Sequence, residues 1–95
     1  MGVITVAASR VADGWVCEVG VDDAGRRTHH TVTVSASELA RWGGAGDVEA
    51  LVRRSFVFLL EREPATSILP RFQLSAIERY FPEFDREMGR GGPDG

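Results

Sequence analysis

The stretch Asp47–Phe84, DVEALVRRSFVFLLEREPATSILPRFQLSAIERYFPEF, decides how this chain is built. Its first half places Val48, Leu51, Val52, Phe56, Leu59 and Leu60 at the three- and four-residue intervals that line up along one side of a helix, and Val57 and Phe58 widen that stripe. Asp47 has the side chain of a helix N-cap, and Glu49 suits the positive end of the dipole and can pair with Arg53 one turn on. Pro64 removes an amide donor and disfavours helical geometry at Glu63, so the pattern predicts a helix over 48–63. Beyond it, Thr66 or Ser67 can cap one turn through Ile68 and Leu69, and Pro70 interrupts that turn. Ser75 and Glu78 repeat the spacing of a capping box ahead of Ile77, Tyr80 and Phe81. Pro82 suits a first helical position and precedes Phe84 and Met88, which completes a second helical region over 76–88.

Apolar helix faces of this breadth need a surface to cover, and the first third of the chain supplies one. Val3–Arg10 is a β-branched run, and Asp13-Gly14 is a strong hairpin signal. Trp15, Cys17, Val19 and Val21 then recur at period two, which puts them on one face of a strand. After the turn Asp22-Asp23-Ala24-Gly25 a third run, RTHHTVTV, sets His30, Val32 and Val34 against His29, Thr31 and Thr33 on the other face. Ser35 and Glu38 have capping-box spacing for a short helix, which the flexible Gly43-Gly44-Ala45-Gly46 link ends. The reading is an α+β fold: a three-stranded antiparallel β-meander (3–10, 15–22, 27–34) covered on one face by C-terminal α-helices. Leu51, Phe56 or Phe58, Leu59 and Leu60 are expected against Val19, Val32 and Val34. Residues 1–88 read as a single domain, and 89–95, which lack any apolar side chain, read as a disordered tail.

Composition excludes several kinds of chemistry. All 11 cationic residues are Arg, so no Schiff base, lysine base or P-loop lysine exists. The net charge of −3 is spread over both halves, unlike the basic face of a dedicated nucleic-acid binder. One cysteine cannot form an internal disulfide, and no run reaches the length of a membrane-spanning helix, so a soluble, cytoplasmic protein is expected.

No residue set presents itself as a catalytic, cofactor-binding or metal site, and no cofactor is expected. His29 and His30 are adjacent on a strand and point to opposite faces, so they cannot jointly grip an ion. Cys17 and His30 share a face and are the minimum for nucleophilic catalysis, which keeps a small enzyme as an alternative; the strand interior and the apolar neighbours read instead as a core cysteine. The Gly-rich link lacks the Gly-Lys-Ser/Thr of a phosphate loop, and Asp47 at the cap repels an anion. Arg53, Arg54, Arg62, Arg71 and Arg79, interleaved with Glu49, Glu61, Glu63, Glu78 and Glu83, read as a mixed-sign surface, with nucleic-acid contact through that Arg face as a further alternative.

The segment SFVFLLEREPATSILPRFQLSAIERYFPEF, Ser55–Phe84, resembles a family of small uncharacterised bacterial proteins in which a strand meander precedes this helical signature. The resemblance extends over about Val3–Met88. It implies a cytoplasmic bacterial α+β domain, and no catalytic or binding residues carry over from it. The early Asp13-Gly14-Trp15 is also similar to the hairpin of HicB-type antitoxins, although the Pro-rich segment of that family is replaced here by Asp22-Asp23-Ala24-Gly25. Taken with the absence of a reactive constellation, the expectation is a non-catalytic interaction or regulatory module. Its partner is expected to be another protein or a second copy in a homodimer, because a three-stranded sheet leaves two edges to cover and the C-terminal half is rich in large aromatics.

Overall fold

A computed structural model describes residues 3–43 and 47–89 of the chain. Three long strands, β1 (Val3–Val11), β2 (Gly14–Asp23) and β3 (Arg26–Ser35), lead into helices α1 (Ala36–Trp42) and α2 (Val48–Leu60). A 3-10 turn (Ala65–Ser67), a short strand β4 (Arg71–Gln73) and helices α3 (Ala76–Tyr80) and α4 (Glu83–Gly89) complete the described chain. The fold is α+β. The meander forms as its alternation requires, with Val6 opposite Val19 and Val19 opposite His30 across the sheet. Cys17, Val19, Val21, Val32 and Val34 are buried, while Glu18, His29 and Thr33 on the opposite face are exposed.

The sheet has four strands in the order β1-β2-β3-β4, and is mixed, because β4 runs parallel to β3. The three-strand reading missed β4 for a physical reason. Three residues after Pro70 are too short a run for their alternation to stand out, and parallel pairing needs a crossover, here supplied by α1 and α2. Thr31 N–H donates to the Pro70 carbonyl at 2.8 Å and Leu74 N–H to that of Thr33 at 2.9 Å, which fixes both ends of the short strand.

The first hairpin turns at Ala12-Asp13, one residue before the Gly, and Gly14 is already in β2. What demands glycine there is crowding: a Cβ at residue 14 would collide with the Val34 carbonyl oxygen of β3. In the second hairpin Ala24 and Gly25 both have positive φ, 55° and 79°, as a tight two-residue turn between right-twisted strands requires.

The helices follow the caps, with four corrections. Ser35 and Glu38 form both bonds of the capping box, and Asp47 accepts the Ala50 N–H at 2.8 Å. The Ser75/Glu78 box does not form: Ser75 is itself in helical geometry, and Glu78 turns to Arg41 instead. The long helix gives way at Leu60 to a tighter turn over 61–63 leading into Pro64, rather than running to Glu63. The region read as one helix over 76–88 is two, separated at Phe81 (φ −133°, ψ 86°), because Pro82 both lacks an amide donor and pushes the residue before it out of helical geometry. Gly89, read as the start of the tail, closes α4. Residues 44–46 of the glycine-rich link and 90–95 of the tail lie outside the described residues.

α2 lies over the sheet with Leu51, Val52, Phe56, Phe58 and Leu59 buried; Leu60, expected inside, is only half-buried, and Val57 faces solvent. Glu49 does not pair with Arg53. Its Oε2 accepts the Ala8 N–H of β1 at 3.2 Å, so a helix carboxylate covers one outward-facing donor of the edge strand. The C-terminal aromatics fold back into the same core. Phe84 packs edge-on to Trp42 at 5.1 Å and to Phe58 at 5.2 Å, and Phe58 meets Phe81 at 6.0 Å.

α4 is held to α1 by polar contacts at the rim of that cluster. The Trp42 indole N–H donates to Asp85 at 2.8 Å, and Arg41 lies 3.0 Å from the same carboxylate. The indole donor first, and Arg41 after it, hold the Asp85 carboxyl below the usual carboxylate range; Glu83 is lowered too, by its own backbone amide and then by Arg62. Groups whose folded pKa lies below the unfolded value stabilise the fold above the unfolded pKa, about 4. That contribution is lost as pH falls through the lowered folded values. We therefore expect the urea midpoint of the wild type to drop more steeply from pH 5 to pH 2 than that of Asp85→Asn, which has no charge to neutralise at this contact. Parallel acid limbs for the two proteins would contradict the assignment.

Candidate functional site

Cys17 and His30 are near neighbours on the buried face of the sheet, but each is occupied in its own surroundings. Cys17 is opposite Val32 on β3, and His30 is opposite Val19, one diagonal step away. His30 is buried, with Nδ1 2.8 Å from the Leu69 carbonyl and Nε2 2.9 Å from the Thr28 hydroxyl. A carbonyl can only accept, so Nδ1 carries a proton, and in the neutral ring Nε2 accepts from Thr28. Both nitrogens are thus engaged, Nδ1 in holding the 64–70 segment against β3 and Nε2 in a bond to Thr28 on β3 itself. Cys17 is fully buried, and burial first, with Glu49 and Glu18 adding, pushes its thiol up to about 11.

A thiol so placed is a core group. At pH 8 about one thousandth of it is ionised, given the value of about 11. Native protein is expected to resist iodoacetamide for hours at pH 8 and to label within minutes in urea. A raised thiol pKa contributes stability below the unfolded value, about 9, that is lost as pH rises toward 11, so Cys17→Val should flatten the alkaline side of the stability profile. Rapid labelling of the folded protein would contradict this placement.

Three of the arginines are engaged in contacts within the fold. Arg41 ties α1 to Glu78 and Asp85, and Arg54 donates to the Trp42 carbonyl at 2.9 Å. Arg62 stacks on Phe58 at 3.6 Å while bonding Glu83 at 3.1 Å. On the outer sheet face His29 is 3.5 Å from Glu18. Among the described residues no three of His, Cys, Asp and Glu assemble as metal ligands, and no helix is long and apolar enough to cross a membrane.

A cleft of about 320 Å³ opens between the C-terminal end of α2, the 3-10 turn, β4 and α3. Leu59, Ile68, Leu69, Phe72, Ile77 and Phe81 form apolar walls, with Glu63, Ser67 and Tyr80 also lining it. Each wall has a local cause. Pro64 and Pro70 force the chain out of helix and bring Ile68 and Leu69 across the end of α2. The His30–Leu69 bond pins that crossing to β3. Phe56 backs Phe72, their rings 6.1 Å apart. Leu69 is 46% and Tyr80 67% exposed, so apolar surface continues outward from the mouth. Sequence reading did not find the cleft, since its lining comes from four elements; the only local signal was the density of apolar residues in a segment broken by prolines.

Comparison with protein-family models, with curated proteins and with solved structures returned no match to this chain.

Proposed function

We propose that this chain is a cytoplasmic, non-catalytic interaction module that holds a partner through the cleft between α2, the 3-10 turn, β4 and α3. The observation that carries the reading is the continuity of the apolar walls with exposed Leu69 and Tyr80 at the mouth. Apolar side chains in a recess with a few polar groups at its edge are the usual form of a recognition site. The enzyme alternative draws no support from a thiol pushed up to about 11 beside an imidazole whose two nitrogens are engaged elsewhere. The partner is a second protein or a second copy of the chain.

A photo-crosslinking amino acid placed at position 80, at the mouth, tests this against the same group at the exposed position 53 on α2. Irradiation in living cells is expected to give a discrete crosslinked species from position 80 and none from position 53, and the species should vanish when Ala76→Trp fills the cleft. Twice the chain mass would identify a second copy. Equal crosslinking from both positions, or none from position 80, would overturn the proposal.

A further inference from the structure

Resting on the reading of the cleft as a docking site, we infer that its occupant is a basic partner segment: an apolar side chain flanked in sequence by Arg or Lys. The charge inventory of the lining carries the inference. Of the residues that form the cleft, Glu63 alone is charged at neutral pH, although the chain contains 11 Arg. Its neighbours are matched, since Glu61 pairs with Arg62 and Arg62 with Glu83. Glu63 is half-buried as a residue, and its carboxylate makes no hydrogen bond or ion pair among the described residues. A carboxylate held beside apolar walls without a cation is a charge waiting for its complement, and a partner that brings one gains both attraction and discrimination against acidic competitors.

Two further features agree. The aromatic faces of Phe72, Tyr80 and Phe81 can receive a guanidinium or ammonium group, and the net charge of −3 draws a cationic partner from a distance. Size selects the form of the occupant. A volume of about 320 Å³ is at the small end of ligand sites and suits one or two large side chains, while the apolar surface at Leu69 and Tyr80 extends past what a small amine would cover.

The test is selection from a display library of random twelve-residue peptides on the immobilised full chain, with counter-selection on Ala76→Trp. Leu69→Ser serves in its place if the Trp variant does not fold. Enriched peptides are expected to pair an apolar residue with two or more Arg or Lys. The best of them, measured in solution by fluorescence anisotropy, should bind Glu63→Gln at least fivefold more weakly and lose affinity with rising salt. A version with its basic residues changed to Ser should bind wild type and Glu63→Gln alike. Enrichment of neutral or acidic peptides that still require the open cleft would overturn the basic-segment inference and leave the docking reading standing. So would a basic peptide whose affinity Glu63→Gln leaves unchanged. If no enrichment depends on the cleft, the docking reading fails with it.

Discussion

Phe56→Ala is expected to destabilise the fold by about 3 to 5 kcal/mol, the cost typical of emptying a buried aromatic site. Phe56 is fully buried, and it is the side chain through which α2 reaches the far side of the sheet: its ring is 5.3 Å from that of His30 on β3 and 6.1 Å from that of Phe72 on β4. β4 is three residues long, so its place in the sheet depends on this packing as much as on its ladder. For a domain whose whole stability is of order 5 to 15 kcal/mol, the loss brings the variant close to unfolding at 37 °C. Urea denaturation would show a midpoint lowered by a large fraction at unchanged slope. A shift worth less than about 1 kcal/mol would mean that α2 does not seat on β3 and β4 as described.

How far the sequence carried this picture follows from the range over which each signal acts. Period-two alternation in β2 and β3 and the stripe of α2 are properties of consecutive residues, and Val19, Val32, Leu51 and Leu59 are where those patterns put them. The capping box at Ser35 is equally local and forms. The same spacing at Ser75 does not, because a distant carboxylate, Glu38, takes the Ser75 amide, and no local rule sees a competitor 37 residues away. β4 is illegible for a like reason: Arg71–Gln73 becomes a strand only because β3, reached through two helices, offers it an edge. His30 looked like half of a reactive pair since pattern places it on the face of Cys17. What directs its ring is the Leu69 carbonyl, supplied by a loop 39 residues later. The cleft combines these long-range events and so could not be read from any single window.

Glu38 is where several of those events meet, and Glu38→Ala is expected to cost about 2 to 4 kcal/mol. The side chain is 7% exposed. One oxygen accepts the Ser35 N–H at 2.7 Å, closing the capping box of α1. The other accepts the Ser75 N–H at 3.0 Å and the Gln73 side-chain N–H at 3.2 Å. All three donors are neutral amides, so the carboxylate is stabilised by directed dipoles rather than by a counter-charge, and alanine would leave the donors without their acceptor. Glu38→Gln offers one oxygen where two are used and turns an NH2 toward an N–H donor, so it should cost about half as much as alanine. Amide exchange distinguishes a local role from a general one. Loss of protection at Ser35 and Ser75 ahead of the β1–β2 ladder is expected, and uniform loss across the sheet would reject it. Gln73 and Ser75 bracket the chain between the cleft walls Phe72 and Ile77. Releasing them frees β4 and α3 to move apart, so Glu38→Gln should also weaken occupancy of the cleft without touching a single residue that lines it.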